Sequence, residues 1–289
     1  MKIAVTGATG QLGHDVVTEL NRRGHEVIGL GSLDMNITDA NAVMETLSTI
    51  RPDAVIHCAA WTAVDAAEDE ENRERVFSIN GKGTENTAAA CSQLSCKMLY
   101  ISTDYVFNGR GEQPWKPDCD AYEPVNVYGE SKLMGEQAVR SILSRYFIVR
   151  IAWVFGKNGK NFVRTMLKVG KTHDSVSVVN DQIGTPTYTV DLAVLLADMI
   201  VTEKYGTYHA TNEGGYISWA DFTEEIYRQA GVSAEVRHVT TEEYGLSKAA
   251  RPRNSRLDKS CLTEAGFQRL PDWKDALGRF LAELQEEDN

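Results

Sequence analysis

Short β-branched apolar segments alternate with segments of helical periodicity through the first half of the chain. The apolar segments predict strands at 2–6, 26–30, 54–58, 97–102 and 146–151, and the intervening segments predict helices that include 39–50, 73–94 and 127–143. Strands separated by helices of this length form right-handed crossovers, which build a parallel sheet covered by helices on both faces. The alternation therefore predicts an α/β fold, a Rossmann-like, doubly wound parallel sheet.

The pattern changes after about residue 155. A turn rich in Gly and Asn is followed by predicted strands at 175–179 and 206–210 and by helices at 190–201, 219–230 and 273–286. No Pro/Ser-rich linker separates the two halves. We predict a first domain at 1–155, to which later segments can return, and a smaller mixed α/β part at 156–289 that packs against it.

Charge and composition exclude several classes of protein. The 289 residues include 41 acidic and 30 basic side chains, for a formal net charge of −11, which is the wrong sign for binding nucleic acid. The longest apolar run, 192–201, is interrupted by Asp198 and is shorter than the roughly 20 residues of a membrane span. We expect no nucleic-acid partner, no membrane contact and, without a signal peptide, a cytoplasmic protein.

The spacing of cysteine and histidine gives no sign of a metal site. Five cysteines and six histidines are scattered without a C-x-x-C or H-x-x-x-H pair. We expect no metal ligands among them, and we expect the cysteines to be free thiols in a reducing compartment.

A glycine-rich segment joins the first predicted strand to the first predicted helix. It reads Thr6-Gly7-Ala8-Thr9-Gly10-Gln11-Leu12-Gly13, with glycines three residues apart. At this point of a βαβ unit, glycines permit a tight turn, a close approach of backbone N–H groups to a pyrophosphate, and close packing of the helix on the strand. The segment predicts that residues 1–155 bind a dinucleotide, with a plain turn as the alternative.

The residues after the second predicted strand bear on the choice between NADH and NADPH. The dinucleotide fingerprint has an acidic residue there for the adenosine ribose, or a basic residue where a 2′-phosphate must fit. This chain has Gly31 and Ser32 at that point, with Asp34 a little later and with Arg22 and Arg23 on the preceding turn. The predicted cofactor is therefore NADPH or NADH, with the choice left open.

Tyr128 and Lys132 are four residues apart and so share one face of the helix predicted at 127–143. A neighbouring ammonium favours a phenolate and should lower the pKa of Tyr128, which suits a proton donor at neutral pH. The same spacing recurs at Tyr244 and Lys248, but no strand precedes that copy, and we interpret it as a solvated helix or loop. The Tyr128 copy lies where strand carboxyl ends converge on a ligand.

Ser102 and Thr103 lie at the end of the strand predicted at 97–102. A hydroxyl at this position can donate a hydrogen bond to a carbonyl oxygen that Tyr128 protonates. The alternative is a turn in which the hydroxyl only closes the strand. We predict Thr103, Tyr128 and Lys132 as the catalytic residues.

Further motifs extend along nearly the whole chain and carry a resemblance to a known family. They are Gly10-Gln11-Leu12-Gly13, Ala59-Ala60-Trp61-Thr62-Ala63-Val64-Asp65, Asn126-Val127-Tyr128-Gly129, Trp153-Val154, Gly159-x-Asn161-Phe162, Asp181-Gln182-x-Gly184-x-Pro186-Thr187 and Arg251-Pro252-x-Asn254-Ser255-Arg256-Leu257. With segment 102–107 and the Tyr128-x-x-x-Lys132 pair, they resemble the extended short-chain dehydrogenase/reductase superfamily and, within it, the dTDP-4-dehydrorhamnose reductase family.

The resemblance implies a reaction and a set of contacts. The reaction is the NAD(P)H-dependent reduction of the 4-keto group of dTDP-4-dehydro-L-rhamnose to dTDP-L-rhamnose. The implied cofactor contacts are Gly7, Gly10, Gln11, Leu12, Asp34, Met35, Ala59, Ala60, Trp61, Thr62, Tyr128 and Lys132. The implied contacts to the nucleotide sugar are Val64, Thr103, Asp104 and Trp153. The part at 156–289 is expected to form most of the substrate-binding side.

Two arginines extend the expected substrate site on physical grounds. A nucleoside diphosphate carries about two negative charges and is held best by forked guanidinium groups. Arg251 and Arg256 are therefore predicted to bind the substrate, with a solvated basic loop as the alternative.

The sequence leaves alternative functions and the oligomeric state of the protein open. The alternatives are a reductase or epimerase of another nucleoside-diphosphate 4-keto-6-deoxy sugar, and a non-catalytic regulatory subunit of the methionine adenosyltransferase β type. A dehydratase is disfavoured because Asp104-Tyr105 stands where dehydratases have an Asp-Glu pair. Members of the family can form dimers through a Mg²⁺ ion held by glutamates. In this chain Asp15 stands at one of those ligand positions, so the spacing does not support a Mg²⁺ site. Whether the protein forms a homodimer stays open.

Overall fold

The computed structural model describes residues 1–287 and confirms the predicted α/β fold. The first half contains, in chain order, β1 (Lys2–Thr6), α1 (Gln11–Arg22), β2 (Glu26–Leu30), α2 (Ala40–Ile50), β3 (Ala54–His57), α3 (Val64–Ala67), α4 (Glu70–Phe77), a π-helical turn (Ser78–Lys82), α5 (Gly83–Gln93), β4 (Lys97–Thr103), a 3-10 turn (Asp104–Val106), α6 (Val127–Ile142) and β5 (Tyr146–Ile151).

The second half mixes short strands with helices. Its elements are β6 (Val154–Phe155), α7 (Phe162–Gly170), β7 (Ser175–Val179), β8 (Ile183–Gly184), β9 (Thr187–Tyr188), α8 (Thr189–Ile200), β10 (Gly206–His209), β11 (Ile217–Ser218), α9 (Trp219–Ala230), β12 (Glu235–Val239), α10 (Thr241–Tyr244), α11 (Ser260–Glu264) and α12 (Trp273–Glu287). Within residues 1–287, none of the helices has the length and apolar character needed to cross a bilayer.

Six parallel strands form the central sheet in the order β10-β5-β4-β3-β1-β2. Strand β2 lies on one side of β1, whereas β3 and the later strands lie on the other side. The order of the strands across the sheet therefore reverses between β1 and β3, where Ile3 lies opposite Ala54. Doubly wound sheets bind ligands at such a switch point, beyond the carboxyl ends of the strands. Strand β10 and helix α8, which packs on α1, both follow residue 156. The division of the chain at residue 155 stays a prediction.

Hydrophobic cores cover both faces of the sheet. On β1, Ile3 and Val5 point to the core shared with α1 and α8, and Ala4 points to the core shared with α2 and α5. Successive strand residues face opposite sides of a sheet. Because both sides are covered, all three side chains are fully buried, which explains why β1 is a continuous apolar run rather than an alternating one.

A separate aromatic core holds the second half together. Phe155, Phe222, Trp273 and Phe280 are buried among α7, α9 and α12. The rings of Phe155 and Phe280 meet edge to face at 5.4 Å, and those of Phe222 and Trp273 do so at 5.6 Å. Such pairs stabilise a core beyond the area that they bury. This core fixes the elements that face the central sheet across a cleft.

Gly13 lies in the first turn of α1, where the helix touches the turn after β1. A Cβ at Gly13 would lie 2.1 Å from the carbonyl oxygen of Gly7 and 2.7 Å from its carbon, so the backbone would have to move. We expect Gly13→Ala to lower the free energy of unfolding by about 1–3 kcal/mol, measured by urea denaturation.

Gly278→Ala provides the control for this substitution. In α12 the added Cβ would meet only the end of the Gln229 side chain, at 3.2 Å, and alanine favours the helix. This variant should be at least as stable as the wild type. Equal destabilisation of both variants would contradict the close packing of α1 on the turn.

Candidate active site

A cleft of about 1760 Å³ opens at the switch point of the sheet. The ends of β1, β2, β4 and β5, with Cys58 directly after β3, form its base. The turn after β1 and the start of α6 form its sides, and parts of α7 and β7 face them. Doubly wound sheets bind their ligands at this position. We take this cleft as the candidate active site.

The structure brings most of the sequence-predicted site residues to this cleft. Those that line it are Gly7, Gly10, Gln11, Leu12, Met35, Ala59, Ala60, Thr62, Val64, Thr103, Asp104, Tyr128, Lys132, Trp153 and Arg251. Asp34, Trp61 and Arg256 lie outside the lining. The roles of all these residues stay predictions.

The turn after β1 fits a dinucleotide. Gly7 has φ +67°, and a Cβ there would lie 2.7 Å from the backbone nitrogen of Ala59, so only glycine allows the turn and the loop after β3 to approach this closely. Gly10 is the N-cap of α1 and has no side chain to cap the helix. The helix N-terminus therefore faces the cleft with N–H groups suited to an anion such as a pyrophosphate.

Thr103, Tyr128 and Lys132 come from two neighbouring elements. Thr103 ends β4, and Tyr128 and Lys132 lie on α6, whose first turn is capped by the Asn126 side chain accepting from the N–H of Gly129 at 2.8 Å. Thr103 lies close enough to Tyr128 to lower the pKa of the phenol, and the Thr103 hydroxyl itself donates to Asp104 Oδ1 at 3.0 Å. These three polar groups are therefore held together at one end of the cleft.

Burial controls the ionisation of Tyr128 and Lys132. It raises the pKa of Tyr128 above its ordinary value, against a smaller lowering by Thr103. It lowers the pKa of Lys132 to about 7, against a raising effect of Glu136. The prediction that Lys132 lowers the pKa of Tyr128 is wrong for this structure, because removal from water outweighs it and the ammonium donates instead to the Ile101 carbonyl at 2.7 Å. Tyr128 consequently stays a protonated donor at neutral pH.

A buried charged network below α6 was not predicted from the sequence. Arg150 on β5 is fully buried and donates to both oxygens of Glu136 at 2.8 Å, and Ser102 donates to Glu136 at 2.6 Å. Glu136 is one helical turn beyond Lys132, and Ser102 directly precedes Thr103. The network thus fixes α6 against β4 and β5. An arginine inside the apolar segment 146–151 was the available signal.

Asn80 is a second positioning residue that sequence reasoning missed. Its side chain is buried in the π-helical turn, accepts from the N–H of Trp61 at 2.8 Å, and donates to the Ser131 hydroxyl at 2.9 Å. It therefore ties the loop after β3 to α6. Nothing in the sequence around Asn80 marks this role.

Asp104 is a buried carboxyl group at the cleft. Burial raises its pKa to about 6, against lowering by hydrogen bonds from Ser255 and Thr103. Its Oδ2 atom has no hydrogen-bond partner in residues 1–287. Asp104 therefore brings an incompletely paired carboxyl group to the cleft, next to Thr103.

The raised pKa of Asp104 predicts a specific pH dependence of stability. Because its pKa rises from 3.8 to about 6 on folding, the native state binds more protons between these pH values, and the contribution of Asp104 to stability falls as pH rises through that window. Asp104→Asn removes this loss of about 3 kcal/mol. Urea denaturation at pH 4 and pH 8 should show the variant gaining on the wild type by roughly that amount between the two.

The outcome that contradicts this prediction is an unchanged difference between variant and wild type at the two pH values. Comparing differences rather than absolute stabilities removes the effect of other titrating groups. It also removes any constant effect of the amide on packing.

The predicted substrate arginines are placed differently from one another. Arg251 lines the cleft but forms a two-bond ion pair with Asp65, at 2.9 and 2.7 Å, which lowers the pKa of Asp65 to about 2. Arg256 lies away from the cleft and donates to the Asn254 side chain at 3.0 Å. A diphosphate would therefore meet Arg251 in competition with Asp65.

Asp15 does not belong to a set of metal ligands in one copy of the chain. In the described part of the chain, the side chains close enough together to hold a metal ion are Asp221, Glu224 and His238. All three are exposed and lie in the second half of the chain, far in sequence from Asp15. Asp15 Oδ2 is buried without a hydrogen-bond partner among the described residues, and Asp15 Oδ1 lies 3.3 Å from His14 Nδ1, but no third ligand group joins these two side chains there. The residues present therefore do not fit Mg²⁺ at Asp15, and no step below uses a metal ion.

Comparisons with known proteins identify the family of the chain. The family model described as "RmlD substrate binding domain" matches residues 1–286. The spore coat polysaccharide biosynthesis protein SpsK of Bacillus subtilis is 41% identical over 282 residues, 98% of this chain and 97% of that protein. A dTDP-4-dehydrorhamnose reductase of Streptomyces griseus is 41% identical over 279 residues, 94% of this chain and 90% of that protein.

Solved structures give the same result. The dTDP-4-dehydrorhamnose reductase of Bacillus anthracis, solved in complex with NADP, matches with a TM-score of 0.91 at 40% identity over 98% of this chain and 99% of that one. An ortholog from Clostridium acetobutylicum matches with a TM-score of 0.94 at 41% identity over 99% and 100% of the two chains. The chain therefore belongs to the RmlD family, the family of the dTDP-4-dehydrorhamnose reductases.

Proposed function

We propose that the protein is an NAD(P)H-dependent oxidoreductase that reduces the 4-keto group of dTDP-4-dehydro-L-rhamnose and releases dTDP-L-rhamnose. The observation that carries the proposal is the sharing of one cleft by the glycine turn after β1 and by Thr103, Tyr128 and Lys132. A dinucleotide on the turn extends along the sheet edge toward these residues. Family membership supports the same reaction class.

The chemistry assigned to the chain is proton transfer and positioning. A bound reduced nicotinamide supplies a hydride to the keto carbon. Tyr128 gives its phenolic proton to the oxygen of the resulting alkoxide, so that a C–H and an O–H bond form. Thr103 orients the carbonyl oxygen by a hydrogen bond, and Lys132 stabilises the phenolate until a proton returns from solvent.

Trp153 supports a rigid substrate wall. It has φ +52°, a rare conformation for a side chain of this size, and its ring stacks on Trp219 at 3.7 Å. Both residues line the cleft. We place the sugar nucleotide there, between Trp153, Val64, Asp104 and Arg251, with the residues after 156 forming most of the substrate side.

The test is an assay with purified protein and dTDP-4-dehydro-L-rhamnose. Loss of absorbance of the reduced nicotinamide should match formation of dTDP-L-rhamnose one to one. Product formation without net loss of cofactor would instead favour an epimerase, and faster reduction of another nucleoside-diphosphate 4-keto-6-deoxy sugar would correct the substrate. Binding of a methionine adenosyltransferase without cofactor consumption would favour the regulatory alternative.

Location and assembly are part of the proposal. We place the protein in the cytoplasm, in support of which Cys58, Cys91, Cys96, Cys119 and Cys261 are all free thiols. The proposed small-molecule partner is the nucleotide sugar. A homodimer stays a prediction, and light scattering distinguishes it from a monomer of 32.0 kDa.

A further inference from the structure

Lys132 is a buried amine that has lost most of its contact with water without gaining an ion pair. Burial lowers its pKa to about 7. Within residues 1–287 its Nζ atom donates to the Ile101 carbonyl at 2.7 Å and takes part in no salt bridge. One hydrogen bond to a neutral acceptor does not replace the hydration of an ammonium. A further stabilising contact is therefore expected around Lys132.

The ionisable side chains around Lys132 offer it little compensating charge. They are His57 on β3, Cys58 directly after it, Tyr100 on β4, and Tyr128 and Glu136 on α6. Burial lowers the pKa of His57 to about 3 and raises the pKa of Cys58 to about 12, so both are neutral at pH 7. The two phenols stay protonated, because burial raises the pKa of each. Glu136 is the one carboxylate of this set, and it is already paired with the arginines of the network below α6.

The ring of Tyr100 supplies the further contact. The Lys132 Nζ atom lies over this ring, 4.2 Å from its centroid. The face of an aromatic ring is the negative end of its quadrupole, and it attracts a cation most strongly where water is excluded. Tyr100 is fully buried, so the contact lies in such a place.

Helix α6 leaves room for the Tyr100 ring beside Lys132. A Cβ at Gly135 of α6 would lie 2.4 Å from the Tyr100 hydroxyl oxygen. That hydroxyl donates to the Lys132 backbone carbonyl at 3.3 Å, and on β3 the ring of His57 stacks on the Tyr100 ring with the centroids 5.8 Å apart. These contacts fix the Tyr100 ring between the sheet and the helix that carries Lys132.

We propose that Tyr100 is a positioning residue, which holds the Lys132 ammonium through the face of its ring and keeps it charged one helical turn from Tyr128. The effect on turnover rests on the proposed function, in which Lys132 stabilises the Tyr128 phenolate. A neutral amine would not stabilise that anion. Tyr100 lies outside the cleft lining, so it acts on the reaction through Lys132.

The test measures the pKa of Lys132 by NMR, on protein with ¹³C-labelled lysine and without cofactor or substrate. The Lys132 signal is assigned by its loss in Lys132→Met. Tyr100→Phe keeps the ring and should leave the pKa of Lys132 within about 0.3 units of the wild type. Tyr100→Leu removes the ring and should lower that pKa by at least about one unit, which is a tenfold weaker affinity for the proton.

Trifluorophenylalanine at residue 100 distinguishes the charge distribution of the ring from its shape. Fluorine atoms withdraw electrons from the ring face with little change in size, so the pKa of Lys132 should fall below its value in Tyr100→Phe. Tyr208→Leu is the matched packing control, since Tyr208 is a buried ring on β10 of the same sheet. This control should leave the pKa of Lys132 within about 0.3 units of the wild type.

An equal pKa of Lys132 in the wild type and in a folded Tyr100→Leu would overturn the proposal. If that variant does not fold, the fluorinated ring decides, and a pKa equal to that in Tyr100→Phe would overturn the proposal. A fall of the same size in Tyr100→Phe or in Tyr208→Leu would also overturn it, because the hydroxyl or the packing would then be the cause.

The reductase assay gives a second measurement. If turnover needs the charged form of Lys132, activity falls as pH rises through the pKa of that residue, which is about 7 in the wild type. A fall of that pKa by one unit in Tyr100→Leu should lower kcat about tenfold at pH 8 but only about twofold at pH 6. An equal loss at both pH values would contradict the proposal. The proposed function fails separately: a protein that shows these pKa changes but reduces no sugar would sink the function and leave the contact between Tyr100 and Lys132 standing.

Discussion

Tyr128→Phe is expected to lower kcat about 10³-fold while leaving the dissociation constant of NADH within about threefold of wild type. The phenylalanine ring keeps the contact with Tyr105, whose ring lies 5.6 Å away. It removes only the hydroxyl that donates the proton in the proposed reaction. Steady-state kinetics with the nucleotide sugar and a fluorescence titration of NADH measure the two quantities independently.

Tyr244→Phe is the control that the chain itself offers. Tyr244 has the same spacing to a lysine as Tyr128 and also lines the cleft, but it is an exposed residue at the end of the short helix α10, and its lysine, Lys248, is paired to Asp69. Its loss should change kcat by less than about threefold. If Tyr128→Phe retained nearly full turnover, or if both variants lost equally, Tyr128 would not be the proton donor.

Arg150→Met is expected to lower the free energy of unfolding by about 3–5 kcal/mol. Arg150 and Glu136 are both buried, and the guanidinium makes two bonds of 2.8 Å to the carboxylate. Removing the arginine leaves a buried carboxylate whose remaining partners are Arg140, at the edge of the network, and the Ser102 hydroxyl. Urea denaturation measures the loss.

The double variant Glu136→Gln/Arg150→Met distinguishes the effect of losing the ion pair from the effect of leaving Glu136 as a buried charge without its partner. It should recover at least about 1 kcal/mol of the loss, since no ion then remains unpaired in the interior. Arg228→Met breaks the exposed pair with Glu225 and should cost less than about 1 kcal/mol. A double variant no more stable than Arg150→Met would show that the arginine acts through its packing and not through its charge.

The order of strands and helices could be predicted because each element carries its own local signal. Strands 26–30, 146–151 and 175–179 and helix 219–230 have the predicted bounds. Helix α2 begins directly after Asp39, a typical N-cap residue. By contrast, β12 was not predicted, because Glu235–Val239 is half exposed in a two-stranded sheet and lacks a continuous apolar pattern.

Much of the candidate site could also be predicted, since the motifs follow strand ends that a parallel sheet brings to one edge. What the sequence could not show is pairing between distant residues and the degree of burial. Arg251 meets Asp65 across 186 positions, and no local pattern indicates that contact. The pKa of Tyr128 likewise depends on removal from water, which the four-residue spacing to Lys132 does not encode.

The late arrival of β10 and α8 has a consequence for synthesis on the ribosome. A nascent chain that has emerged only to residue 155 would present β5 as a bare edge and α1 without its packing partner. The central sheet is complete only once residues up to 209 have emerged, and helices α9 and α12 of the aromatic core are made after that. Chaperones that shield unpaired strand edges would therefore be needed most during this interval, and stalled chains of intermediate length should be the aggregation-prone species.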